Sequence, residues 1–193
     1  MPFYTKNNKT IQFMHIPKCA GSSVDKFFVE NKFKRNYVSG ILNPCSYQHR
    51  HLNDQGFINQ CKKYNNIVYK FTFVRNPIER IVSRFRMENK IEDNIENLFN
   101  DFVIESIEGV KKDKYFKDNH FRHQNEFINE EIKVFKFGEW DDFIKDISMY
   151  VEIENKKFPH EFESKSTKFK CLPETIELIK SHYKDDLDFW NKL

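Results

Sequence analysis

Nine residues near the start of the chain, His15-Ile16-Pro17-Lys18-Cys19-Ala20-Gly21-Ser22-Ser23, have the types needed to hold an anion. They end an apolar run that begins at Ile11. A strand that turns into a helix aims main-chain N–H groups and the positive end of the helix dipole at one point. Gly21 permits close approach to the main chain, Ser22 and Ser23 add hydroxyls, and Lys18 adds a charge on a flexible stem. The order is not that of a Walker A loop, G-x-x-x-x-G-K-[ST], in which lysine follows the last glycine. By itself the stretch equally fits a plain strand–helix turn, with a serine capping the helix and the lysine in solvent.

A second loaded segment is FTFVRNPIERIVSRF, residues 71–85. Arg75 stands at the end of a β-branched and aromatic run, and Ser83 follows it by roughly two helical turns. A guanidinium with a hydroxyl can hold a second phosphate. Taken alone, the pair also fits a strand-end ion pair and a solvated helix face.

The proton chemistry must come from elsewhere. In SYQHRHLND, residues 46–54, His49 and His51 fall on one side of an extended segment. Imidazole is the side chain suited to take a proton near neutral pH. A rival metal set would join Cys45, His49 and His51 to His120 and His123. The C-x3-H-x-H spacing is not a common zinc signature, so no metal is expected. Lys111, Lys112, Lys114 and Lys117 form a basic run, which fits a solvated face or contact with an anionic acceptor.

The elements around these residues read as an alternation. Ile11–Ile16 is a short buried strand, and Val24, Phe27 and Phe28 share one face of the helix after it. Residues 36–38 offer a second strand, and residues 53–64 carry apolar positions at helical spacing. Residues 66–74 are the clearest strand, and Pro77 suits the first turn of the next helix, whose buried face is Ile78, Ile81, Val82 and Phe85. Residues 94–107 form another amphipathic helix, 111–124 a polar exposed connection, and 132–137 a further strand. Helices follow at 139–150 and from Pro173 to Trp190. Strands separated by helices predict an α/β class, a three-layer αβα arrangement with a central parallel sheet. Ligands in such folds sit at the carboxyl ends of the strands, where both loaded segments lie.

Composition agrees with one domain spanning residues 1–193. Phe occurs 21 times, enough apolar payload for a folded core despite 32% charged residues. A net charge of +3 excludes nucleic-acid binding by bulk charge. No apolar run reaches the roughly 18 residues of a membrane span, and no signal-peptide pattern opens the chain. The expectation is a cytoplasmic protein. Cys19, Cys45, Cys61 and Cys171 form no C-x-x-C pair and are expected as free, mostly buried thiols.

Taken together, the two loaded segments resemble the PAPS-dependent carbohydrate sulfotransferases, the group that includes the heparan sulfate 2-O- and chondroitin sulfotransferases. HIPKCAGSS is similar to that family's 5′-phosphosulfate loop, and YKFTFVRNPIERIVSRF to its 3′-phosphate segment. HFRHQNEFI, VFKFGEWDDF and FPHEFESKST look like weaker later blocks. The resemblance implies a P-loop-NTPase-like sulfotransferase fold and 3′-phosphoadenosine-5′-phosphosulfate (PAPS) as sulfuryl donor, without a metal. It implies that Lys18 and the main chain of Cys19, Ala20, Gly21, Ser22 and Ser23 hold the 5′-phosphosulfate, and that Arg75 and Ser83 hold the 3′-phosphate. It makes His51 the general base, with His49 beside it, and Lys18 the group that stabilises the leaving phosphate. Arg122 and Gln124 would line the acceptor cleft, and Lys165, Ser166 and Thr167 would close over the nucleotide. The acceptor expected is a hydroxyl of a glycan or small molecule. Two alternatives stay open: a P-loop-type kinase or phosphotransferase, and a non-catalytic nucleotide-binding module of the same fold. The first lacks a Walker A loop, and the second leaves Lys18 and His51 without a purpose.

Overall fold

Asn7 and Asn8 start the sheet. Both have positive φ, 50° and 59°, the backbone of a type I′ turn, which suits the right-handed twist of flanking strands. They join β1 (Phe3–Lys6) to β2 (Lys9–Phe13) as an antiparallel hairpin with Lys6 opposite Lys9. The structure is a computed structural model and describes residues 2–36, 41–42, 45–46, 62, 64, 66–89, 95–159 and 170–193. The hairpin was not expected from the apolar pattern, because a four-residue strand is too short to show alternation.

β3 (Lys34–Asn36) pairs antiparallel with β1. Two short strands, β4 (Ile41–Leu42) and β5 (Cys45–Ser46), make a separate antiparallel pair. β6 (Ile67–Val74) lies parallel to β2, and β7 (Lys133–Lys136) parallel to β6. The five-stranded sheet has the order β3-β1-β2-β6-β7. The α/β class holds, with the sheet flanked by helices. The central sheet is mostly parallel, as expected: β2, β6 and β7 run the same way, and β1 alone is reversed, lying antiparallel between β2 and β3.

Among the described residues, six helices of two turns or more surround it: α1 (Gly21–Glu30), α2 (Pro77–Glu88), α3 (Ile95–Lys112), α4 (Trp140–Ile147), α5 (Pro173–His182) and α6 (Lys184–Lys192). Asn76 caps α2, its side-chain oxygen accepting from Ile78 N at 3.0 Å, and Pro77 opens the helix as expected. One core packs α1 and α4 against the sheet. The Phe143 ring of α4 sits 4.7 Å from Phe71, 5.2 Å from Phe73 and 5.7 Å from Phe27. Such aromatic pairs are worth about 0.5–1.5 kcal/mol each beyond the area they bury. A second core forms among helices from Ile81 and Phe85 of α2, Phe99, Phe102, Val103 and Ile107 of α3, Phe121, Ile179 and Tyr183.

Two local expectations need correction. The polar stretch 111–124 is not wholly exposed: Asn119, Phe121, Arg122 and Gln124 are buried. Phe121 fills the second core, and the Gln124 carboxamide is held by the main chain of Arg75, 49 residues away, which a local reading cannot see. The C-terminal helix is two helices, because Tyr183 (φ −101°, ψ 32°) breaks it. Tyr183 is buried, and its hydroxyl donates to Phe121 O at 2.6 Å.

Arg80 joins these parts. It is 1% exposed although it sits on a helix. Its Nε donates to Pro17 O at 3.1 Å, Nη1 to Arg122 O at 2.9 Å and Nη2 to His120 O at 2.8 Å. A lysine has one nitrogen and cannot span three carbonyls in the fixed fork of a guanidinium. We expect Arg80→Lys to lower unfolding stability by about 2–4 kcal/mol, since each buried polar group left unmet costs about 1–3 kcal/mol. A urea midpoint shift at unchanged m-value measures it, and a shift under ~0.5 kcal/mol would refute the clamp.

Candidate functional site

β2 and β6 are parallel neighbours, so their carboxyl ends reach the same edge of the sheet. Met14 N donates to Phe71 O at 2.8 Å, and the buried Thr72 hydroxyl donates to Met14 O at 2.7 Å. These bonds carry the pairing one residue past β2 and bring the loop after Phe13 beside Arg75. The two loaded segments of the sequence are therefore adjacent in the fold.

The loop itself is tightly wound. Ile16 N donates to Met14 O at 3.1 Å and Cys19 N to Ile16 O at 3.2 Å. Lys18 and Ala20 both adopt the left-handed region at φ 67°. For a side-chain-bearing residue that conformation costs on the order of 1 kcal/mol or more, and such strain gathers at ligand clamps. Left-handed residues in a turn also bend successive N–H groups toward one concave point, an anion-binding shape. α1 then starts at Gly21, with Ala20 as its N-cap and no side-chain cap. The expectation that Ser22 or Ser23 caps the helix is thus corrected: both lie inside its first turn, Ser22 exposed and Ser23 buried. The Cys19 N–H is committed within the loop, which leaves the first-turn N–H groups of α1, those without an intrahelical acceptor, as main-chain donors.

Gly21 has a second reason to lack a side chain. A Cβ there would lie 2.0 Å from His15 Nε2, because the His15 imidazole packs across the glycine. His15 in turn stacks on Phe13 with ring centroids 5.4 Å apart.

Gln124 ties the two segments together. Its carboxamide accepts from Arg75 N at 3.0 Å and donates to Arg75 O at 2.8 Å. The Cys19 thiol donates to the same Oε1 at 3.2 Å. Burial pushes that thiol up to about 11, so it stays protonated and serves as a donor. The Gln124 and Asn125 N–H groups are themselves held by the Asp186 carboxylate, at 2.8 and 3.1 Å. Gln124, expected in the acceptor cleft, therefore sits as a fastener beneath the loops. Arg122 is buried, with Nε and Nη2 both 2.8 Å from Glu126 Oε2.

Three cations stand at the mouth of the loop. Lys18 has a lowered pKa, first from burial and then from the nearby charges of Arg84 and Arg75. Arg75 reaches Glu79 from Nε at 3.3 Å, with its guanidinium 4.3 Å above the Phe137 ring. Arg84 pairs with Glu88. Ser83 is half-buried on α2 and shares the helical face of Arg80, Arg84 and Met87 by its spacing. Lys18 thus lies close to Arg75 and Arg84, and Ser83 precedes Arg84 on α2. His49, His51, Lys165, Ser166 and Thr167 lie outside the described residues, as does the helix expected at 53–64 in all but isolated positions.

Sequence reasoning missed Arg80, Arg84 and Asp186. Arg80 had a signal, since it falls within the buried periodicity of Pro77, Ile81 and Phe85. Arg84 had one too, lying one turn beyond Arg80 on the same face. Asp186 had none, because its partners are main-chain groups 61 and 62 residues away. Among the described residues no group of three His, Cys, Asp or Glu can hold a metal ion. Of the rival metal set, His120 Nδ1 lies 2.7 Å from Lys117 O and His123 packs on His182 and Tyr183, while the side chains of Cys45, His49 and His51 are not described. Among the described residues no helix is long and apolar enough to cross a membrane.

A model of the sulfotransferase family matches residues 1–191. The chain belongs to the sulfotransferase family. No curated protein and no solved structure gives a significant match. Membership of this family makes sulfuryl transfer the general chemistry of the chain.

The packing around His182 is sensitive to acid. The rings of His182 and His123 lie 5.1 Å apart, with Tyr183 against both. Burial, then the charges of His123 and Lys111, push His182 down to about 4, with Glu108 opposing. The unfolded chain, with an ordinary imidazole, binds more protons than the folded one between about pH 6.5 and 4. Stability falls as pH drops through that window. We expect His182→Gln to flatten the dependence there, read from denaturant midpoints at pH 7, 6, 5 and 4; an unaltered pH profile would contradict this.

Proposed function

We propose that this sulfotransferase moves a sulfuryl group from PAPS to a hydroxyl of a glycan or small-molecule acceptor by in-line displacement. The observation that carries the reading is the convergence of Lys18, Arg75 and Arg84 on a strained loop at a helix N-terminus, with two neighbouring parallel strands presenting both anchors. One donor with two separate anionic groups accounts for both. Lys18 and the first turn of α1 would take the 5′-phosphosulfate, and Arg75 with Ser83 the 3′-phosphate that separates PAPS from adenosine di- and triphosphates.

The chemistry follows from the residue types. The acceptor oxygen forms a bond to sulfur as the bond from sulfur to the bridging phosphate oxygen breaks. Negative charge grows on that phosphate, and a lysine with aimed N–H groups stabilises it where it develops. His51 would accept the proton of the acceptor hydroxyl, with His49 two residues before it; both assignments rest on the sequence pattern. Transfer of this kind is governed by positioning and charge, so the proposal needs no metal. We place the reaction in the cytoplasm.

The 3′,5′-diphosphate product should raise the melting temperature more than ADP does, without added Mg²⁺. An equal response to the two nucleotides would argue against the 3′-phosphate site. His51→Ala should keep product binding and lose transfer of labelled sulfate; full retained transfer would remove His51 as the base.

A further inference from the structure

Arg84 is poorly matched to the surroundings it has. Its side chain is only 12% exposed, and its Nε is buried with no hydrogen-bond partner among the described residues. Nη2 pairs with Glu88, but Glu88 also meets Lys117 at 3.6 Å and is shared between two cations. Among the described residues Nη1 meets only the Met87 thioether, 4.0 Å away. Lys18 Nζ lies 3.4 Å from the same sulfur. A thioether is a weak acceptor, so two cations converge on one atom that satisfies neither. The Met87 side chain is itself largely exposed, so little holds it there against a better ligand.

We propose that Arg84 is a direct ligand of the anion bound in the Lys18 loop, donating from Nη1, and from Nη2 as Glu88 yields, to oxygens that displace the Met87 sulfur. The inference rests on the reading of this loop as the 5′-phosphosulfate site and adds the residue that recognises that group beside Lys18. A guanidinium offers two donors to one oxyanion, where lysine offers a point charge. Glu88 then acts as a competitor: it holds Arg84 when the loop carries no anion and must yield part of that hold when one binds. Arg84 also crowds Lys18 with positive charge, which an oxyanion between them relieves.

The probe is inorganic pyrophosphate, which reads the loop without a nucleoside, alongside the 3′,5′-diphosphate product. Affinities are measured calorimetrically for the wild type, Arg84→Gln, Arg84→Lys and Glu88→Gln. Arg84→Gln should weaken pyrophosphate about tenfold or more, the loss expected for one charge-assisted contact. Arg84→Lys should recover part of that loss, and Glu88→Gln should bind several-fold tighter than wild type. Unchanged pyrophosphate affinity in Arg84→Gln overturns the proposal. Weaker binding in Glu88→Gln overturns it too, since Arg84 would then act only through its ion pair. Should Arg84→Gln fail to fold, the lysine and Glu88→Gln variants still decide. Preference for the 3′,5′-diphosphate over ADP with no Arg84 effect sinks this inference alone. No such preference, with pyrophosphate still dependent on Arg84, sinks the donor assignment and leaves this inference standing.

Discussion

Arg80 is the point on which the arrangement turns. One buried guanidinium donates to the carbonyls of Pro17, His120 and Arg122, groups from two chain segments over a hundred residues apart. Fixing Pro17 fixes the residue before Lys18. Fixing His120 and Arg122 sets the path of the chain into Gln124, whose carboxamide holds the main chain of Arg75 and accepts from Cys19. Both anion-facing segments thus hang from one cation. A buried charge is costly unless its hydrogen bonds are met. Here three carbonyl dipoles meet it, and the Asp186 carboxylate nearby adds the opposite charge.

With its scaffold rigid, the site can store unfavourable features that a ligand relieves. Lys18 and Ala20 are held in a conformation that side chains disfavour. Three cations are held near one another, while Glu79 and Glu88 lie to the side as partners of Arg75 and Arg84. The Arg75–Glu79 pair reaches solvent through Glu79, and ion pairs near the surface contribute about 0–1 kcal/mol, so an oxyanion replaces it at little loss. In the proposed reaction this charge would be in place before any charge develops on a reacting group, which is the condition for efficient electrostatic catalysis.

Much of this was legible in the amino-acid order. The run Ile67–Val74 could only be a buried strand, and Asn76-Pro77 could only begin a helix, so Arg75 had to stand at a strand end. Apolar strands and helices in alternation placed the Lys18 loop on the same edge. The Asn7-Asn8 turn was equally readable, yet the hairpin it makes escaped notice because β1 is too short for alternation to register. The serines after Gly21 suggested a cap, but the left-handed Ala20 starts the helix first and leaves them inside it.

The sequence by itself determined the local chemistry: which side chains can hold an anion, and that strand-to-helix turns carry them. That information is local, because hydrogen-bonded turns, β-branched runs and helix starts depend on residues a few positions apart. Only the tertiary structure decided that Arg80 is a clamp and Arg84 faces the loop, that Gln124 is a fastener, and that Gly21 makes room for His15. The roles of Arg80 and Gln124 come from contacts 40 or more residues away in the chain. The same guanidinium or carboxamide would be an ordinary surface group without the partner that packing brings to it.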